Sequence, residues 1–248
     1  MAPLLCIENL TKRYKHAGHP VLNGLSFSVN SGEIYGFLGP NGAGKSTTVK
    51  ILSGLISYDQ GNISIMGKNL TDHRKELNKH IGIVPQDIAL FPTLTATENL
   101  KIFGGIYGIE NRILNKRIAY LLNLFGLEDH KNKKVDYYSG GMKRRINLIV
   151  GILHEPNLLL LDEPTIGIDV QSKNVIIENL QLLNSYGTTI LYTSHNMEEA
   201  QQFCTKVGII DEGKIIAEGT PDELIGKTAD CDNLELVYLK LTGKKLRD

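Results

Sequence analysis

A glycine-rich stretch decides the fold: residues 39–47 read GPNGAGKST and contain the spacing G-x-x-x-x-G-K-[ST] in full. An apolar run over 34–38 predicts a strand before this stretch, and a helical run over 48–52 follows it. In such a strand–loop–helix arrangement, glycines let successive backbone N–H groups turn inward around phosphate oxygens, and the helix points its N-terminus at the same anion. The sequence therefore predicts a phosphate-binding loop, in preference to a turn that merely joins strand to helix.

The predicted loop divides phosphate binding between its backbone and its side chains. Lys45 is expected to reach the β- and γ-phosphates of a nucleotide, and the Ser46 hydroxyl is expected to bind Mg²⁺. The full set of predicted phosphate-binding residues is Gly39, Pro40, Asn41, Gly42, Ala43, Gly44, Lys45, Ser46 and Thr47.

A second motif supplies the carboxylates that a phosphate-transfer site needs. Residues 158–164 read LLLLDEP, and the run of leucines predicts a strand buried on both faces. Ligands of open α/β sheets bind at the carboxyl edge of the strands, where Asp162 and Glu163 emerge. Asp162 is suited to hold the water shell of Mg²⁺, and Glu163 is the better candidate to polarise an attacking water. Together the two motifs indicate a nucleoside triphosphate site.

Short β-rich runs alternate with segments of helical spacing along the chain, which predicts an α/β fold with a mostly parallel sheet. The predicted strands cover 5–10, 25–29, 34–38, 63–66, 81–84, 158–161, 189–192 and 207–210. The early strands are polar-alternating and separated by turn residues, so an antiparallel β sub-region is expected there. From about 95 to 153 the strand signals vanish, and we expect a helical insertion. A short tail ends in a basic cluster, Lys244, Lys245 and Arg247.

The composition excludes several classes of protein. Lys and Arg number 27, as do Asp and Glu, so the formal net charge is zero. Such a balance argues against a protein that coats nucleic acid or an anionic membrane, because that binding needs a surplus of cations. No apolar run approaches the roughly 20 residues of a membrane span, and the amino terminus lacks the pattern of a signal peptide. The dispersed cysteines predict neither a disulfide framework nor a zinc site.

A third motif stands just before the acidic strand. Residues 138–142 read YSGGM, and Ser139 is a good N-cap for a helix predicted over 142–153. Gly140 and Gly141 leave backbone N–H groups exposed, so this is a second anion-binding helix start. With its motifs in this order, the sequence resembles the ATP-binding cassette (ABC) family, specifically the nucleotide-binding subunit of an ABC transporter. The resemblance covers residues 3–225, with a helical subdomain at about 88–154 and a tail at 226–248.

The resemblance implies roles for four further residues. Tyr14 is expected to stack on the adenine ring of ATP, and Gln86 to contact Mg²⁺, water and a membrane partner. Asp169 is similar to the aspartate that communicates across a dimer, and His195 to the histidine that contacts the γ-phosphate. Each residue alone has a simpler interpretation: a surface tyrosine, a turn glutamine, a helix N-cap and a structural histidine.

The resemblance also implies an activity and a set of partners. It implies a P-loop ATPase of the ABC type, in which two subunits, identical or paralogous, face head to tail. Each ATP would lie between one chain's phosphate loop and the other chain's Ser139 segment, with Glu163 and His195 acting in hydrolysis. A separate integral membrane permease would hold the pair at the cytoplasmic face of the cell membrane, and no nucleic acid partner is expected.

Details of the third motif refine the expectation. The string SGGMKRR resembles the branch that drives exporters of drugs, antibiotics, lipids or polysaccharides, including the daunorubicin-exporter type. Tyr138 and Met142 depart from the commonest family form, LSGGQ. We interpret Lys143, Arg144 and Arg145 as a solvated basic helix face. An importer subunit stays an alternative. A non-transport ABC ATPase is disfavoured, because this chain has one cassette and no sustained heptads.

Overall fold

The computed structural model describes residues 2–15 and 18–243, so the predicted basic cluster of the tail lies outside the described residues. The chain divides into two compact units. The first consists of Met1–Asn78 and Thr189–Asp248, and the second of Lys79–Thr188.

Strands and helices alternate along much of the described chain. The strands are β1 (Leu5–Lys12), β2 (Leu22–Val29), β3 (Ile34–Leu38), β4 (Gln60–Ile65), β5 (Lys68–Asn69), β6 (Ile81–Val84), β7 (Leu158–Asp162), β8 (Thr189–Ser194), β9 (Lys206–Asp211) and β10 (Lys214–Gly219). The α-helices are α1 (Lys45–Leu52), α2 (Arg74–Leu77), α3 (Ala96–Ile106), α4 (Asn111–Leu124), α5 (Gly140–Ile152), α6 (Val170–Ser185), α7 (Met197–Phe203), α8 (Pro221–Lys227) and α9 (Leu234–Thr242).

The first unit contains an antiparallel sheet in the order β2-β1-β4-β5. Leu5 of β1 pairs with Val29 of β2 on one side and with Ile65 of β4 on the other, and all three side chains are fully buried. Buried positions alternate with more exposed ones over 5–7 of β1 and 25–29 of β2, which is typical of a sheet with one face on the core. The predicted antiparallel sub-region is confirmed.

A second group of strands in the first unit is organised around β3. It pairs in parallel with β8 and β9, and β10 lies antiparallel to β9. Every residue of β3 is buried, as expected for a central strand covered on both faces. Leu38, the last residue of β3, is in register with Ser194, the last residue of β8. The loop that follows β3 therefore begins beside the end of β8.

The second unit combines a parallel strand pair with helices. β6 and β7 pair in register from Ile81↔Leu158 to Val84↔Leu161. α3 begins with a capping box in which the Thr95 side chain accepts from the Glu98 N–H and the Glu98 carboxylate accepts from the Thr95 N–H. α4 and α5 pack with α3, and α6 packs on α5. The predicted helical insertion and the α/β class are confirmed.

Two described strands, β5 and β10, and three described helices, α2, α8 and α9, lie outside the predictions. β5 has only two residues, and β10 alternates between half-buried and exposed positions at the side of β9. α9 belongs to the segment interpreted as a tail, and it buries Leu234, Val237 and Tyr238. The backbone N–H of Leu234 donates to Gln201 Oε1 of α7 at 3.0 Å. No helix in the described ranges combines the length and apolarity that crossing a membrane requires.

Candidate functional site

The loop between β3 and α1 gathers the predicted phosphate-binding residues in the first unit. Lys45 opens α1, and only 4% of its surface is exposed. Its Nζ donates hydrogen bonds to the carbonyl oxygens of Gly39, at 2.7 Å, and Pro40, at 3.1 Å. The cation is thus folded against the start of its own loop, where a phosphate oxygen would compete with the carbonyls for the same donors.

Conformation and space both explain why this loop needs glycine. Gly44, the N-cap of α1, has φ of 113°, and no side chain caps this helix start. A Cβ on Gly44 would lie 2.5 Å from Leu22 Cδ2, and a Cβ on Gly39 would lie 2.2 Å from the Ile210 carbonyl oxygen. A helix start with no side-chain cap relies on other acceptors for its N–H groups, and a phosphate suits the helix dipole.

Two more of the predicted residues lie next to this loop. The Tyr14 hydroxyl is 3.4 Å from Thr47 Oγ1, and 40% of Tyr14 is exposed. Lys12 Nζ lies over the Tyr14 ring, 5.9 Å from its centroid. The backbone N–H of Gly39 donates to the Ser194 carbonyl at 3.3 Å. His195, the next residue after Ser194, therefore stands beside the beginning of the loop.

The two predicted carboxylates stand at the carboxyl end of β7 in the second unit. Asp162 and Glu163 are buried, with 4% and 6% of their surfaces exposed. Glu163 has φ of 49°, in the left-handed region that residues other than glycine seldom adopt. A strained backbone at a buried acidic residue is typical of functional sites. Val84 of β6 pairs with Leu161 of β7, so Gln86 follows its strand at the same edge.

The start of α5 is a polar cluster of its own. Ser139 is the N-cap, and its side chain accepts from the Met142 N–H at 3.2 Å. Asp169 is the N-cap of α6, and it accepts from the backbone N–H and the hydroxyl of Ser172, both at 2.8 Å. A Cβ on Gly141 would lie 2.0 Å from Ser172 Oγ and 3.1 Å from Asp169 Oδ2. The two helix starts therefore touch at a position that only glycine fills.

Hydrogen bonding sets the charge state of this cluster. The pKa of Asp169 is lowered, first by the backbone hydrogen bond from Ser172, then by the Ser172 hydroxyl, with a smaller contribution from Arg145. An exposed carboxylate held in this way stays ionised to lower pH than a free one.

The departure of Tyr138 from the commonest family form has a structural explanation. Tyr138 is 5% exposed, and its hydroxyl donates to the His130 carbonyl at 2.6 Å. Burial raises the pKa of this phenol, which keeps it protonated as a donor. The larger side chain is thus accommodated away from the Ser139 cap.

The solvated basic face predicted for 143–145 is wrong at Arg144, which is 5% exposed. Arg144 Nη1 donates to the carbonyl oxygens of Gln86, at 2.7 Å, and Pro85, at 3.2 Å. Arg145 Nη1 donates to the Phe125 carbonyl at 2.7 Å. Sequence reasoning missed both contacts because their acceptors are backbone carbonyls far away in the chain. One signal in the sequence could have indicated them: Arg144 and Asn147 are three residues apart and therefore lie on the same face of an amphipathic helix.

The predicted site residues thus form two groups, one in each unit. The first unit contains Tyr14, Gly39, Pro40, Asn41, Gly42, Ala43, Gly44, Lys45, Ser46, Thr47 and His195. The second unit contains Gln86, Ser139, Gly140, Gly141, Asp162, Glu163 and Asp169.

Comparison with known proteins identifies the family of this chain. A family model described as "ABC transporter" matches residues 22–166. The linearmycin resistance ATP-binding protein of Bacillus subtilis is 47% identical over 224 residues, which cover 90% of this chain and 71% of that protein. The Nod factor export ATP-binding protein I of Ralstonia nicotianae is 41% identical over 234 residues, covering 94% of this chain and 72% of that protein.

Solved structures show the same relationship. The ATP-binding subunit of an ABC transporter superposes with a TM-score of 0.87 and 30% identity, over 96% of this chain and 99% of that one. A dimeric ATP-binding cassette in a post-hydrolysis state, bound to ADP and Pi, superposes with a TM-score of 0.79 and 26% identity, over 87% of this chain and 98% of that one. With this family match and these relatives, the chain belongs to the ABC transporter family as an ATP-binding, ATP-hydrolysing subunit.

Proposed function

We propose that this subunit powers export of a drug, antibiotic, lipid or polysaccharide through a separate membrane permease. Export, as opposed to import, is supported by the names of its relatives, which refer to linearmycin resistance and to Nod factor export. The SGGM form of the third motif points to the same branch.

One observation carries the proposal: the chain has two glycine-flanked helix starts but a single phosphate loop. The predicted phosphate loop precedes the start of α1. The start of α5 has exposed Ser139 and Gly140, and no phosphate loop precedes it. The Ser139 cap satisfies one N–H of the second start and leaves others able to bind an anion. A second ABC subunit, identical or paralogous, would bring a phosphate to them head to tail. ATP then holds two subunits together, and its hydrolysis releases them.

Within this proposal each site residue has a defined task. Tyr14 stacks on adenine, and Lys45 neutralises the β- and γ-phosphates. Glu163 polarises the attacking water, and His195 contacts the γ-phosphate. Asp169 communicates with the partner subunit.

The donors present fit Mg²⁺ as the accompanying ion. Mg²⁺ keeps several waters and is usually held by one or two carboxylates together with substrate phosphates. The Ser46 hydroxyl of the first unit is an oxygen donor of this kind, and so are the Gln86 amide and the buried Asp162 carboxylate of the second unit. Within the described residues, no group of three or more His, Cys, Asp and Glu side chains forms a cage for a different metal. Bound Mg²⁺ would neutralise charge on the phosphates, while these residues hold its water shell.

The permease contact is proposed for the surface around Gln86. Several large apolar side chains of this unit are exposed: Ile88, Phe91, Ile102 and Ile106. The rings of Phe91 and Phe103 lie 6.0 Å apart, which ties the loop to α3. A helix of an integral membrane protein would cover these side chains at the cytoplasmic face of the membrane. The zero net charge gives no reason to expect a nucleic acid partner.

The test is Glu163→Gln, which keeps the size of the side chain and removes the base. We expect ATP binding to persist, turnover to fall by at least about 100-fold, and an ATP-stabilised dimer to accumulate. Steady-state ATPase assays and size-exclusion chromatography with Mg·ATP measure the two effects. The matched control is Glu178→Gln, an exposed carboxylate on α6 in the same unit. Undiminished ATPase in Glu163→Gln would refute the role of Glu163, and a strictly monomeric variant with bound ATP would refute the dimer.

A further inference from the structure

The loop after β6 is held by the helix that begins at Ser139. Arg144 Nη1 donates to the carbonyl oxygens of Gln86, at 2.7 Å, and Pro85, at 3.2 Å. Arg144 lies in the second turn of α5, a few residues beyond the Ser139 cap. A charged donor shared by two consecutive carbonyls fixes the direction of the backbone that carries them.

Asn147, one turn further along α5, holds the same loop at a second point. Its Nδ2 donates to the Pro85 carbonyl at 3.3 Å, and its Oδ1 accepts from the Ala89 N–H at 3.2 Å. Residues three apart on a helix lie on one face, so Arg144 and Asn147 act side by side. We call these two side chains the α5 clamp, and residues 85–89 the Gln86 loop.

Burial makes the α5 clamp a rigid connection. Arg144 is 5% exposed and Asn147 is 2% exposed, so water does not compete for their hydrogen bonds. Burial lowers the pKa of Arg144, and the negative charges of Asp87 and Asp162 oppose that shift. The Nε–H of Arg144 is buried and has no hydrogen-bond acceptor among the described residues. A buried donor without an acceptor is costly to retain and is rare in native proteins.

Next to the α5 clamp, the helix α5 and the strand β6 are closely packed. A Cβ on Gly82 would lie 2.2 Å from the Gly151 carbonyl oxygen, and a Cβ on Gly151 would lie 2.6 Å from Val84 Cγ2. Helix and strand therefore approach each other at two glycines, which brings the side chains of α5 within reach of the backbone beyond β6. A displacement of one element is transmitted to the other, because a close-packed interface does not absorb it.

We propose that Arg144 and Asn147 are positioning residues that make the Gln86 loop and the start of α5 move as one body. A shift of Gln86, caused by Mg²⁺, nucleotide or permease, then reorients Ser139, Gly140 and Gly141. The side chains act through the backbone of the loop and touch no reacting atom. This inference rests on the role proposed above for Gln86.

Amide hydrogen exchange tests the physical linkage without reference to activity. In Arg144→Gln we expect exchange to rise about tenfold at Ala89 and, together with it, at Met142 in the first turn of α5. Asn147→Leu keeps the volume, removes both hydrogen bonds of the side chain, and serves as second variant should Arg144→Gln fail to fold. Lys143→Gln is the matched control, since it removes a neighbouring cation that is only partly buried. Unchanged exchange at Ala89 and Met142 in both clamp variants would overturn the proposal.

Kinetics test whether the linkage serves the reaction. Removal of an outer-shell partner typically costs 10- to 100-fold, so we expect kcat of Arg144→Gln to fall about tenfold. The KM for ATP should change less than about twofold, because the phosphate loop is untouched. Arg144→Lys retains the charge and one donor and should restore part of kcat. A fall that appears only as a smaller active fraction, with no rescue by lysine, would mean a merely structural role.

A double-mutant cycle separates this inference from the function proposed for Gln86. If Arg144 acts through the loop, Arg144→Gln combined with Gln86→Ala loses no more kcat than Gln86→Ala alone. Multiplying losses would refute action through Gln86. If Gln86→Ala is harmless while exchange at Ala89 and Met142 still rises together in Arg144→Gln, the linkage stands and the role of Gln86 falls.

Discussion

The two glycine-flanked helix starts of this chain differ in how their first backbone N–H groups find hydrogen-bond acceptors. At α1 the N-cap is Gly44, with φ of 113° and no side-chain cap, and the first helical residue is a buried lysine. At α5 the N-cap is Ser139, whose side chain accepts from the Met142 N–H, and Asp169 lies close to Gly141. The first start depends on acceptors outside its own side chains, whereas the second is partly satisfied from within.

The difference shows how one physical device serves two purposes. A helix start that lacks a cap gains most from an anion, because its N–H groups and its dipole favour the same charge. A capped start gains less and is already ordered, so it suits a surface that meets a ligand brought by a partner. We therefore expect substitutions at α1 to affect nucleotide binding, and substitutions at α5 to affect stability and pairing.

The largest effect is expected from Lys45→Ala at α1. Removing a preorganised donor to phosphate costs about 100-fold or more, so nucleotide binding should fall by at least that factor. Fluorescence titration with a labelled ATP analogue measures it. Lys50→Ala, on the exposed side of the same helix, should bind as the wild type does. Equal affinities for the two variants would contradict the comparison.

A smaller effect, on folding, is expected from Gly141→Ala at α5. The new Cβ would lie 2.0 Å from Ser172 Oγ and 2.6 Å from Ser172 Cβ. Overpacking of this kind costs about 1–3 kcal/mol in the free energy of unfolding. Gly140→Ala is the matched control for stability, because a Cβ there would meet no atom within 4 Å. Denaturant unfolding of both variants decides the point, and equal midpoints would show that Ser172 yields without cost.

The smallest effect is expected on the stability of the fold at low pH. The pKa of Asp169 lies below its ordinary value of 3.8, chiefly because of the hydrogen bond from the Ser172 N–H. A carboxyl group whose pKa is lowered on folding stabilises the fold fully above its unfolded pKa and loses that contribution as pH falls through the folded value. Asp169→Asn keeps an acceptor but does not titrate. We expect its unfolding midpoint to depend less on pH below about 4, and parallel curves for the two proteins would contradict this.

Local motifs were predictable because their physics is local. The strand over 34–38, the glycine loop after it and the Ser139 cap depend on spacing and backbone chemistry that neighbouring residues determine. The helix α1 begins at Lys45, earlier than the predicted 48, because the loop itself supplies its N-cap. The roles of Glu163, His195 and the other site residues stay predictions until the variants are measured.

Long-range contacts were not predictable in the same way. Arginine is usually exposed in proteins. Only the close approach of β6 makes Arg144 a buried donor to the Gln86 loop. The helix α9 contains apolar residues that indicate burial. It packs on the neighbouring α8 and also on α7, which lies about 30 residues earlier in the chain. A single sequence gives the pattern of burial and leaves the identity of the partner open.

The glycine pair between β6 and α5 also limits how this protein can be rebuilt. Gly82 faces the Gly151 carbonyl, and Gly151 faces Val84. The shapes of the strand and the helix are therefore complementary to each other. A chimera that takes α5 from a cassette with a larger residue at the position of Gly151 would push the helix outward and carry Arg144 away from the carbonyls it binds. Exchanging β6 and α5 together would keep the spacing. The unit of modular exchange here is thus the strand–helix pair, although some 60 residues separate the two in the chain.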